Sequence, residues 1–396
     1  SRGLGDVYKR QKIFSVERSD LQPHRLLSQA GFIITGMHIV VAPDSFKGTA
    51  SAPEAAAAIA MGVRQVLPEA TVTTLPMADG GEGTAAVLAQ AAAAGGQSVE
   101  NITLPTTDAI GRLTQASYAL AGTTAFIDVA SATGLPAVQD SLDPLHADSY
   151  GTGVLIADAE TRGATSIVLG LGGTASIDAG MGILTALGAA AHDARGYALP
   201  KGGAPLVQLD HIDTAQLNIK AGMLDFTLLA DTRATPVQAA TMYGPQKGAQ
   251  GEQVALLAGA MLQTCEVTGA DADSEYFGAA GGLPIGLHWL SRTLWGSDEH
   301  IRVLSGGAHV ATALGLPEKI SSADLVITGE GRFDEQSLTG KAVGTIAGLA
   351  QDAGTPMGII AGSFEHDMDA YCASLSQEGP LAQQLAAAAR DIVKQL

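Results

Sequence analysis

The sequence predicts an α/β fold in which a Rossmann-like domain with a parallel sheet carries a second, inserted mixed α/β domain. Near both ends of the chain, short β-branched apolar runs alternate with Ala-rich helical stretches, which is the pattern of parallel βαβ units. Glycine-rich loops follow several predicted strands, where open parallel sheets bind their ligands. Short strands interrupt the pattern at residues 97–133. A chain of 396 residues is long enough for both domains.

The chain after residue 36 begins with a βαβα series. We predict a strand at 39–42, a helix at 50–67, a strand at 71–75 and a helix at 85–94. The first helix has a clear start, because Ser51 can act as its N-cap, Pro53 lies in its first turn and Glu54 can complete a capping box. Alternation of this kind predicts neighbouring parallel strands.

Residues 97–291 differ in character, and we predict that they form the inserted domain. Strands separated by turn residues, which predict an antiparallel meander, are expected at 98–104, 115–120 and 123–129. The elements expected next are a helix at 153–162, a strand at 166–170, a turn-rich region at 195–233 and a helix at 252–264.

The Rossmann-like domain is predicted to comprise residues 37–96 and 292–396. After the insertion, a helical pattern is expected at 300–314. The last βαβ unit then runs from a buried strand at 325–327 through an Ala-rich helix to a strand at 357–361.

The first 36 residues resemble nothing that follows them. They contain more Lys and Arg than Asp and Glu, whereas the rest of the chain is strongly acidic, and Met37 directly precedes a strand. We predict that residues 1–36 are a disordered tail of non-native or leader origin and that the native chain starts at Met37. An Arg-rich organellar presequence is the alternative interpretation.

Composition excludes several classes of partner. The formal net charge is −18, with 22 Lys and Arg against 40 Asp and Glu, which argues against nucleic acid or an anionic membrane as a partner. No apolar run approaches the roughly 18 residues of a membrane span. The two cysteines, Cys265 and Cys372, have no metal-type spacing, so we expect free thiols and a cytoplasmic location.

The loop after the first strand contains Asp44, Ser45 and Lys47. Lys47 could neutralise a phosphate or a carboxylate while Asp44 binds a metal ion or a hydroxyl group. Lysine and arginine are scarce in this chain. A lysine or arginine residue inside a glycine-rich loop is therefore a strong candidate for binding an anion. An ordinary strand-to-helix loop with a solvated lysine explains the pattern equally well.

An acidic glycine-rich loop separates the second strand from its helix. Its residues are Asp79, Gly80, Gly81, Glu82, Gly83 and Thr84. Glycines let a backbone approach a ligand closely, and a helix N-terminus offers free N–H groups to an anion. Two carboxylates would repel a bare phosphate, so Mg²⁺ or substrate hydroxyls would have to lie between them. The alternative is a tight turn with Asp79 near the helix N-cap.

A third glycine-rich loop follows the strand at 166–170. Residues 170–175 match the G-x-G-x-x-A dinucleotide fingerprint, which makes a nicotinamide-dependent oxidoreductase the alternative function. The fingerprint needs an acid about 20 residues later, at the end of a second strand, but Asp193 follows a helical stretch. We therefore favour a phosphate- or substrate-binding loop. Its candidate residues are Gly172, Gly173, Thr174 and the polar anchor Asp178.

Two further lysines lie in glycine-rich segments. Lys247 is flanked by Gly244 and Gly248, and Lys341 follows Gly340. Neither lysine belongs to a Walker A motif, so the chain is not an ordinary P-loop NTPase. The loop that leads to Lys341 combines flexible backbone, carboxylates and a hydroxyl. Its candidate residues are Gly329, Glu330, Gly331, Asp334 and Ser337.

Together, six motifs in this order resemble the bacterial glycerate kinase family. They are VAPDSFKG at 41–48, DGGEGT at 79–84, LGGTA at 171–175, GPQKGA at 244–249, GAAGGL at 278–283 and DLVITGEGRFD at 324–334. The resemblance implies a two-domain enzyme with its site in the cleft, which transfers phosphate from ATP to D-glycerate in organic-acid catabolism. The implied product is 2-phosphoglycerate, with 3-phosphoglycerate as the alternative.

The resemblance also suggests roles for the candidate residues. Mg²⁺ on the ATP phosphates would be held by some of Asp79, Glu82, Glu330 and Asp334. Lys47 and Lys247 are candidate cations for the glycerate carboxylate or the transferred phosphoryl group, and Asp178 or Asp334 is the candidate base. Residues expected to bind substrate or ATP are Asp44, Ser45, Gly80, Gly81, Gly83, Thr84, Gly172, Gly173, Thr174, Asp231, Gly329, Gly331, Ser337 and Lys341. We expect a monomer or a homodimer.

The chain departs from the family pattern at several positions. Thr174 stands where the family usually has Ser, and Ile177 and Ala179 stand where it usually has Asn and Gly. Residues 143–153 lack the usual threonines before their aromatic-Gly pair. We expect these departures to affect the shape of the substrate pocket rather than the class of reaction.

Overall fold

The structure is a computed structural model that describes residues 36–46, 48–338, 341–366, 368–376 and 378–396. Within it, residues 36–395 belong to one compact unit. The predictions for residues 1–35 and for Lys47 lie outside the described residues.

Strands and helices alternate through most of the chain. The strands are β1 (His38–Val41), β2 (Thr71–Thr74), β3 (Val99–Thr107), β4 (Leu113–Ala121), β5 (Thr124–Asp128), β6 (Ser166–Gly170), β7 (Ala190–His192), β8 (His211–Asp213), β9 (Asp225–Ala230), β10 (Ile301–Ser305), β11 (Leu325–Glu330), β12 (Met357–Ala361) and β13 (Tyr371–Ser374). The helices are α1 (Ala52–Val66), α2 (Thr84–Ala94), α3 (Val129–Thr133), α4 (Tyr150–Thr161), α5 (Met181–Ala186), α6 (Ile219–Gly222), α7 (Pro236–Thr241), α8 (Glu252–Thr268), α9 (Ala279–Trp295), α10 (Gly306–Ala313), α11 (Leu316–Ser321), α12 (Ala342–Ala353) and α13 (Leu381–Val393).

The first sheet has five parallel strands in the order β13-β12-β11-β1-β2. Strands β11 and β12 are buried along their whole length, as expected for a parallel sheet with both faces covered. Helix α1 begins with the predicted capping box between Ser51 and Glu54. It packs against α13, and a Cβ on Gly62 would lie only 2.2 Å from the carbonyl oxygen of Ala386. The glycine therefore allows the two helices to approach closely.

The second sheet has six strands in the order β10-β9-β6-β5-β4-β3. The first four are parallel, whereas β3, β4 and β5 form the predicted antiparallel meander. One face of this sheet is covered by α4, α5, α8 and α9, whose buried side chains share one core with β6 and β9. Strands β7 and β8 form a separate antiparallel pair.

Helix α2 links the two sheets. It packs on β4, β5 and β6, and its Leu88 belongs to a core cluster that contains side chains from both sheets. This cluster contains Val40 and Val326 of the first sheet and Phe126 and Leu229 of the second sheet. The two sheets are therefore joined by a continuous apolar layer.

Three local predictions are wrong. Residues 225–230, inside the region predicted to be turn-rich, form β9 at the centre of the parallel part of the second sheet. Residues 301–305, predicted as helix, form β10. The first sheet also continues beyond 357–361 with β13. Strands β9 and β10 are short and pair with partners that are distant in sequence, whereas β13 has only one buried residue and therefore little apolar pattern.

The fold class is confirmed as α/β with parallel sheets. The division into two domains stays a prediction, although β10 pairs with β9 and thus belongs to the second sheet, while the predicted boundary at residue 292 assigns it to the first domain. None of the helices in the described part of the chain is long and apolar enough for a membrane crossing.

Candidate functional site

The carboxyl ends of β1, β2 and β11 meet at one edge of the first sheet. The backbone N–H of Asp44 donates to the carbonyl oxygen of Gly329 at 2.9 Å, and that of Met77 donates to Pro43 at 2.9 Å. The loop after β1 therefore lies directly beside Glu330, the last residue of β11. Carboxyl ends of parallel strands are where such sheets bind ligands.

The acidic loop 79–84 also reaches the carboxyl ends of the second sheet. The N–H of Gly172 donates to the carbonyl oxygen of Gly80 at 2.9 Å. Gly80 has a φ of +102°, and a Cβ there would lie 2.6 Å from the carbonyl oxygen of Leu229. A Cβ on Gly306 would lie 2.1 Å from the carbonyl oxygen of Asp79. These close approaches require glycine and bring the loops of both sheets together.

Asp128, at the end of β5, anchors this loop and is a residue that the sequence analysis missed. Its carboxylate accepts hydrogen bonds from the N–H groups of Gly83 at 2.8 Å and Ala85 at 2.9 Å. Burial raises the pKa of Asp128 to about 6; the two N–H donors lower it, and the charge of Glu82 adds to the increase. The sequence feature that would have identified Asp128 is a carboxylate near the end of the strand predicted at 123–129.

A cluster of charged groups lies where the acidic loop meets the end of β11. Burial raises the pKa of Glu330, a hydrogen bond with Ser337 and the charge of Lys341 lower it, and the charges of Asp334 and Asp79 raise it further. In the described structure, the buried Oε1 of Glu330 has no hydrogen-bond partner. An unpaired buried carboxylate oxygen is costly, which makes it a candidate ligand for a cation.

The predicted metal ligands do not form a cage. In the described part of the chain, no group of three or more His, Cys, Asp or Glu side chains is arranged to hold a metal ion. Asp79 is buried and its Oδ1 accepts from the N–H of Gly81 at 3.1 Å, whereas Glu82 is exposed. The protein could therefore supply a pair of carboxylates, Asp79 and Glu330, to a metal ion that takes its other ligands from water and substrate.

The loop after β11 holds Asp334 in a defined orientation. The Asp334 N–H donates to the Ser337 hydroxyl at 3.0 Å, and the Ser337 N–H donates to Asp334 Oδ1 at 3.2 Å. Asp334 Oδ2 lies 3.8 Å from Nε of Arg332, whose guanidinium is also paired with Glu365. The Asp334 side chain is 23% exposed, so it can reach a bound ligand.

The glycine-rich loop after β6 faces the acidic loop. A Cβ on Gly172 would lie 2.6 Å from Gly81 Cα and 3.1 Å from Asp231 Oδ2. Asp231, which directly follows β9, is therefore placed beside this loop. Gly173 has a φ of +79°, and Thr174 is buried with its hydroxyl 3.4 Å from that of Ser176.

Lys247 is buried and donates a hydrogen bond to the segment that follows the glycine-rich loop after β6. Its Nζ donates to the carbonyl oxygen of Ser176 at 2.7 Å, and the residue is only 3% exposed. Burial lowers the pKa of Lys247 to about 8, while the charges of Asp178 and Asp231 raise it. The Lys247 ammonium group thus lies inside the protein, at hydrogen-bond distance from the backbone of this loop.

Asp178 is fully buried. Its Oδ2 accepts from the N–H and the hydroxyl of Ser149, both at 2.8 Å, and from the N–H of Gly182 at 2.9 Å. The next residue, Ala179, has a φ of +53°, and its N–H donates to the carbonyl oxygen of Gly281 at 3.0 Å. The Asp178 carboxylate thus joins the start of α5 to the start of α4.

The remaining candidates lie near the charged cluster. The Ser45 N–H donates to Asp44 Oδ1 at 2.7 Å, and Thr84 accepts from the N–H of Gly80 at 3.2 Å. Lys341 stands at the N-cap position of α12. Gly331 is exposed, with open space where a Cβ would be. The structure therefore brings most of the predicted residues to one region.

Comparison with known proteins is decisive for the family. A profile described as "Glycerate kinase family" matches residues 39–395. The chain belongs to the glycerate kinase family. A glycerate kinase from Haemophilus influenzae is 36% identical over 369 residues, which cover 88% of this chain and 94% of that relative. A glycerate 2-kinase from Escherichia coli is 37% identical over 364 residues, which cover 87% of this chain and 92% of that relative.

A solved structure shares the fold. A crystal structure from Salmonella typhimurium LT2, described as a glycerate kinase 2, has a TM-score of 0.74 and 34% identity, covering 91% of this chain and 98% of that one. As a glycerate kinase family member, the chain is an enzyme of the kinase class. The hypothesis of a nicotinamide-dependent oxidoreductase has no support from the family or from these relatives.

Proposed function

We propose that this member of the glycerate kinase family transfers the terminal phosphoryl group of ATP to the 2-hydroxyl of D-glycerate. The observation that carries the proposal is the cluster of Asp79, Glu330, Asp334 and Lys341 where the strand ends of both sheets meet. The choice of the 2-hydroxyl is supported by the E. coli relative, whose name is glycerate 2-kinase. A cytoplasmic location and a monomeric or dimeric state stay predictions.

Asp79 and Glu330 fit the needs of Mg²⁺. This ion is usually bound in phosphotransferases by one or two carboxylates together with substrate phosphates and water. The buried Oε1 of Glu330 has no protein partner in the described structure, and the Asp79 charge lies close enough to raise its pKa. When bound, Mg²⁺ would supply positive charge that neutralises the phosphates of ATP.

Backbone N–H groups and the ammonium group of Lys341 would bind the phosphate chain of ATP. Gly173 and Gly331 are exposed at the strand ends without side chains in the way, so their N–H groups would contact phosphate. The N–H of Gly172 already donates to Gly80, so Gly172 would shape the loop beside them. Lys341 lies at the start of α12, where free N–H groups and the helix dipole favour an anion. In the proposed complex, these groups orient the terminal phosphoryl group rather than react with it.

We assign the role of base to Asp334 rather than to Asp178. The Asp334 side chain is 23% exposed and its Oδ1 is oriented by the Ser337 N–H, so in the proposed complex this carboxylate accepts the proton of the attacking hydroxyl. Oδ2 of Asp178 already accepts three hydrogen bonds inside the protein. Asp178 and Lys247 are proposed as positioning residues, and Lys47 stays the predicted cation for the glycerate carboxylate.

The experiment that tests this function is ADP release with ATP, Mg²⁺ and D-glycerate, followed by ³¹P NMR of the product. We expect release that depends on D-glycerate, and phosphorus coupling to a single proton, as in 2-phosphoglycerate. Coupling to two protons would show 3-phosphoglycerate instead. Binding of ATP without release in the presence of D-glycerate would contradict the proposed substrate.

A further inference from the structure

A cavity of about 360 Å³ lies between the starts of α4 and α5 and the segment that follows β7. Its wall is mostly apolar and includes Met181, Leu199 and Leu206. The proposed magnesium ligands, base and phosphate-binding loops do not contribute to this wall. The cavity is therefore separate from the residues assigned to phosphoryl transfer, and its volume suits a small organic molecule.

Two opposite charges line this cavity. Asp148 is only 6% exposed, and its Oδ1 accepts from the N–H of Tyr150 at 3.1 Å. Its Oδ2 lies 4.0 Å from Nζ of Lys201, which is too long for a hydrogen bond. Within the described structure, the cavity thus presents a buried carboxylate oxygen and an ammonium group that are close to each other but not hydrogen-bonded.

Close backbone packing fixes the segments that carry the two charges. A Cβ on Gly182, at the start of α5, would lie 2.4 Å from the backbone nitrogen of Tyr150. Gly202 has a φ of +93°, and a Cβ there would lie 2.3 Å from His146 Cα. The backbone segments that carry Asp148 and Lys201 are therefore held against each other, so the backbone frame of the site exists before a ligand enters.

We propose that this cavity binds a free α-amino acid with an apolar side chain. The ammonium group of such a ligand would donate to Asp148 Oδ2, and its carboxylate would accept from Lys201 Nζ. Both groups are attached to one carbon atom, which matches the 4.0 Å separation of the two protein charges. The apolar side chain would then contact Met181, Leu199 and Leu206.

The charge state of Asp148 is compatible with this ligand. Burial raises the pKa of Asp148 to about 6, the charge of Asp178 raises it further, and the N–H of Tyr150 and the charge of Lys201 lower it. The carboxyl group is therefore mostly ionised at neutral pH. A buried anion prefers a cationic donor to a neutral one, so an amino acid should bind more tightly than the matching 2-hydroxy acid.

The test is isothermal titration calorimetry of the whole chain in the absence of ATP. The probes are L-valine, L-leucine and L-methionine, with 4-methylpentanoate and isoamylamine as analogues of leucine that lack one charged group each. We expect saturable binding of at least one amino acid, and binding at least about tenfold weaker for each single-charge analogue, because each leaves one buried or half-buried charge unpaired.

Variants locate the binding site. Asp148→Asn and Lys201→Met should each weaken amino-acid binding by about tenfold or more, whereas Asp352→Asn and Lys220→Met, at exposed positions, should not change it. The Lys201 side chain is 47% exposed, so Lys201→Met is expected to fold normally and to keep glycerate-dependent ADP release without amino acid. This control separates the amino-acid site from the proposed kinase function.

Three outcomes would overturn the proposal. The first is no saturable binding of any of the three amino acids. The second is binding that Lys201→Met and Asp148→Asn leave unchanged. The third is displacement of the amino acid by D-glycerate at concentrations that saturate the kinase, which would make the cavity part of the substrate site.

Discussion

Lys247 illustrates how burial changes the role of a charged residue. In sequence it lies between two glycines, as a phosphate-binding lysine would, but its Nζ donates to the carbonyl oxygen of Ser176 and is enclosed by protein. Asp178 and Asp231 compensate its charge only in part, since the pKa is still lowered to about 8. Its contribution to stability should therefore depend on pH.

The first prediction concerns this pH dependence. Between the lowered folded pKa of about 8 and the ordinary value of 10.5, the unfolded chain binds a proton that the folded chain has released. The free energy of unfolding should therefore rise with pH in this window, relative to Lys247→Met, by up to about 1.4 kcal/mol per pH unit. Urea unfolding at a series of pH values between about 8 and 10.5 measures this free energy, and Lys220→Met serves as the control. Parallel curves for wild type and Lys247→Met would contradict it.

The second prediction tests the proposed base. Asp334→Asn should lower kcat for glycerate-dependent ADP release by about 100-fold or more, because the amide cannot accept the proton of the substrate hydroxyl. Asp352→Asn, on the exposed end of α12, is the matched control and should have no effect. The melting temperature of Asp334→Asn shows whether the loop still folds. Activity within a few-fold of wild type would assign the base elsewhere.

At the scale of elements, glycines decide how closely loops and helices approach. Gly172 and Gly81 belong to loops from different sheets, and their backbones touch. Gly259, by contrast, lies inside α8 with open space where a Cβ would be. The same substitution by alanine should therefore have opposite effects at these two positions.

The third prediction is that Gly172→Ala destabilises the protein and impairs ATP binding. Its Cβ would lie 2.6 Å from Gly81 Cα, so the two loops would have to separate, at a cost of about 1–3 kcal/mol. Denaturant unfolding and ATP titration measure the two effects. Unchanged stability together with unchanged ATP affinity would show that the loops are not in contact.

The fourth prediction is that Gly259→Ala stabilises the protein by about 0.5–1 kcal/mol. Alanine in a helix interior loses less conformational entropy on folding than glycine does, and no neighbouring atom opposes its Cβ. The measurement is the same denaturant unfolding. A loss of stability would mean that α8 has a packing partner at this position.

At the scale of the whole molecule, the two sheets share one apolar layer. Phe126 of β5 and Val326 of β11 belong to the same core cluster, with α2 between the sheets. This arrangement couples the stability of one sheet to that of the other, even if the chain is described as two domains. We therefore expect a single unfolding transition.

The fifth prediction tests this coupling. Phe126→Ala, at a position only 9% exposed, should lower the free energy of unfolding by about 3–5 kcal/mol and shift a single transition. Leu113→Ala, at a position 89% exposed, should have little effect. Calorimetry of both variants distinguishes the outcomes. Two separate transitions, of which Phe126→Ala shifts one, would show that the sheets unfold independently.

Local sequence patterns were enough to predict the α/β class, the capping box at Ser51, the antiparallel meander and the loops that carry the candidate site. These features depend on local periodicity and on residue types at short spacing. The burial of Asp178, the partial exposure of Asp334 and the central strand at residues 225–230 became visible only in the folded structure. Burial, strand pairing and pKa are set by neighbours that are far apart in the chain, and no local pattern encodes them.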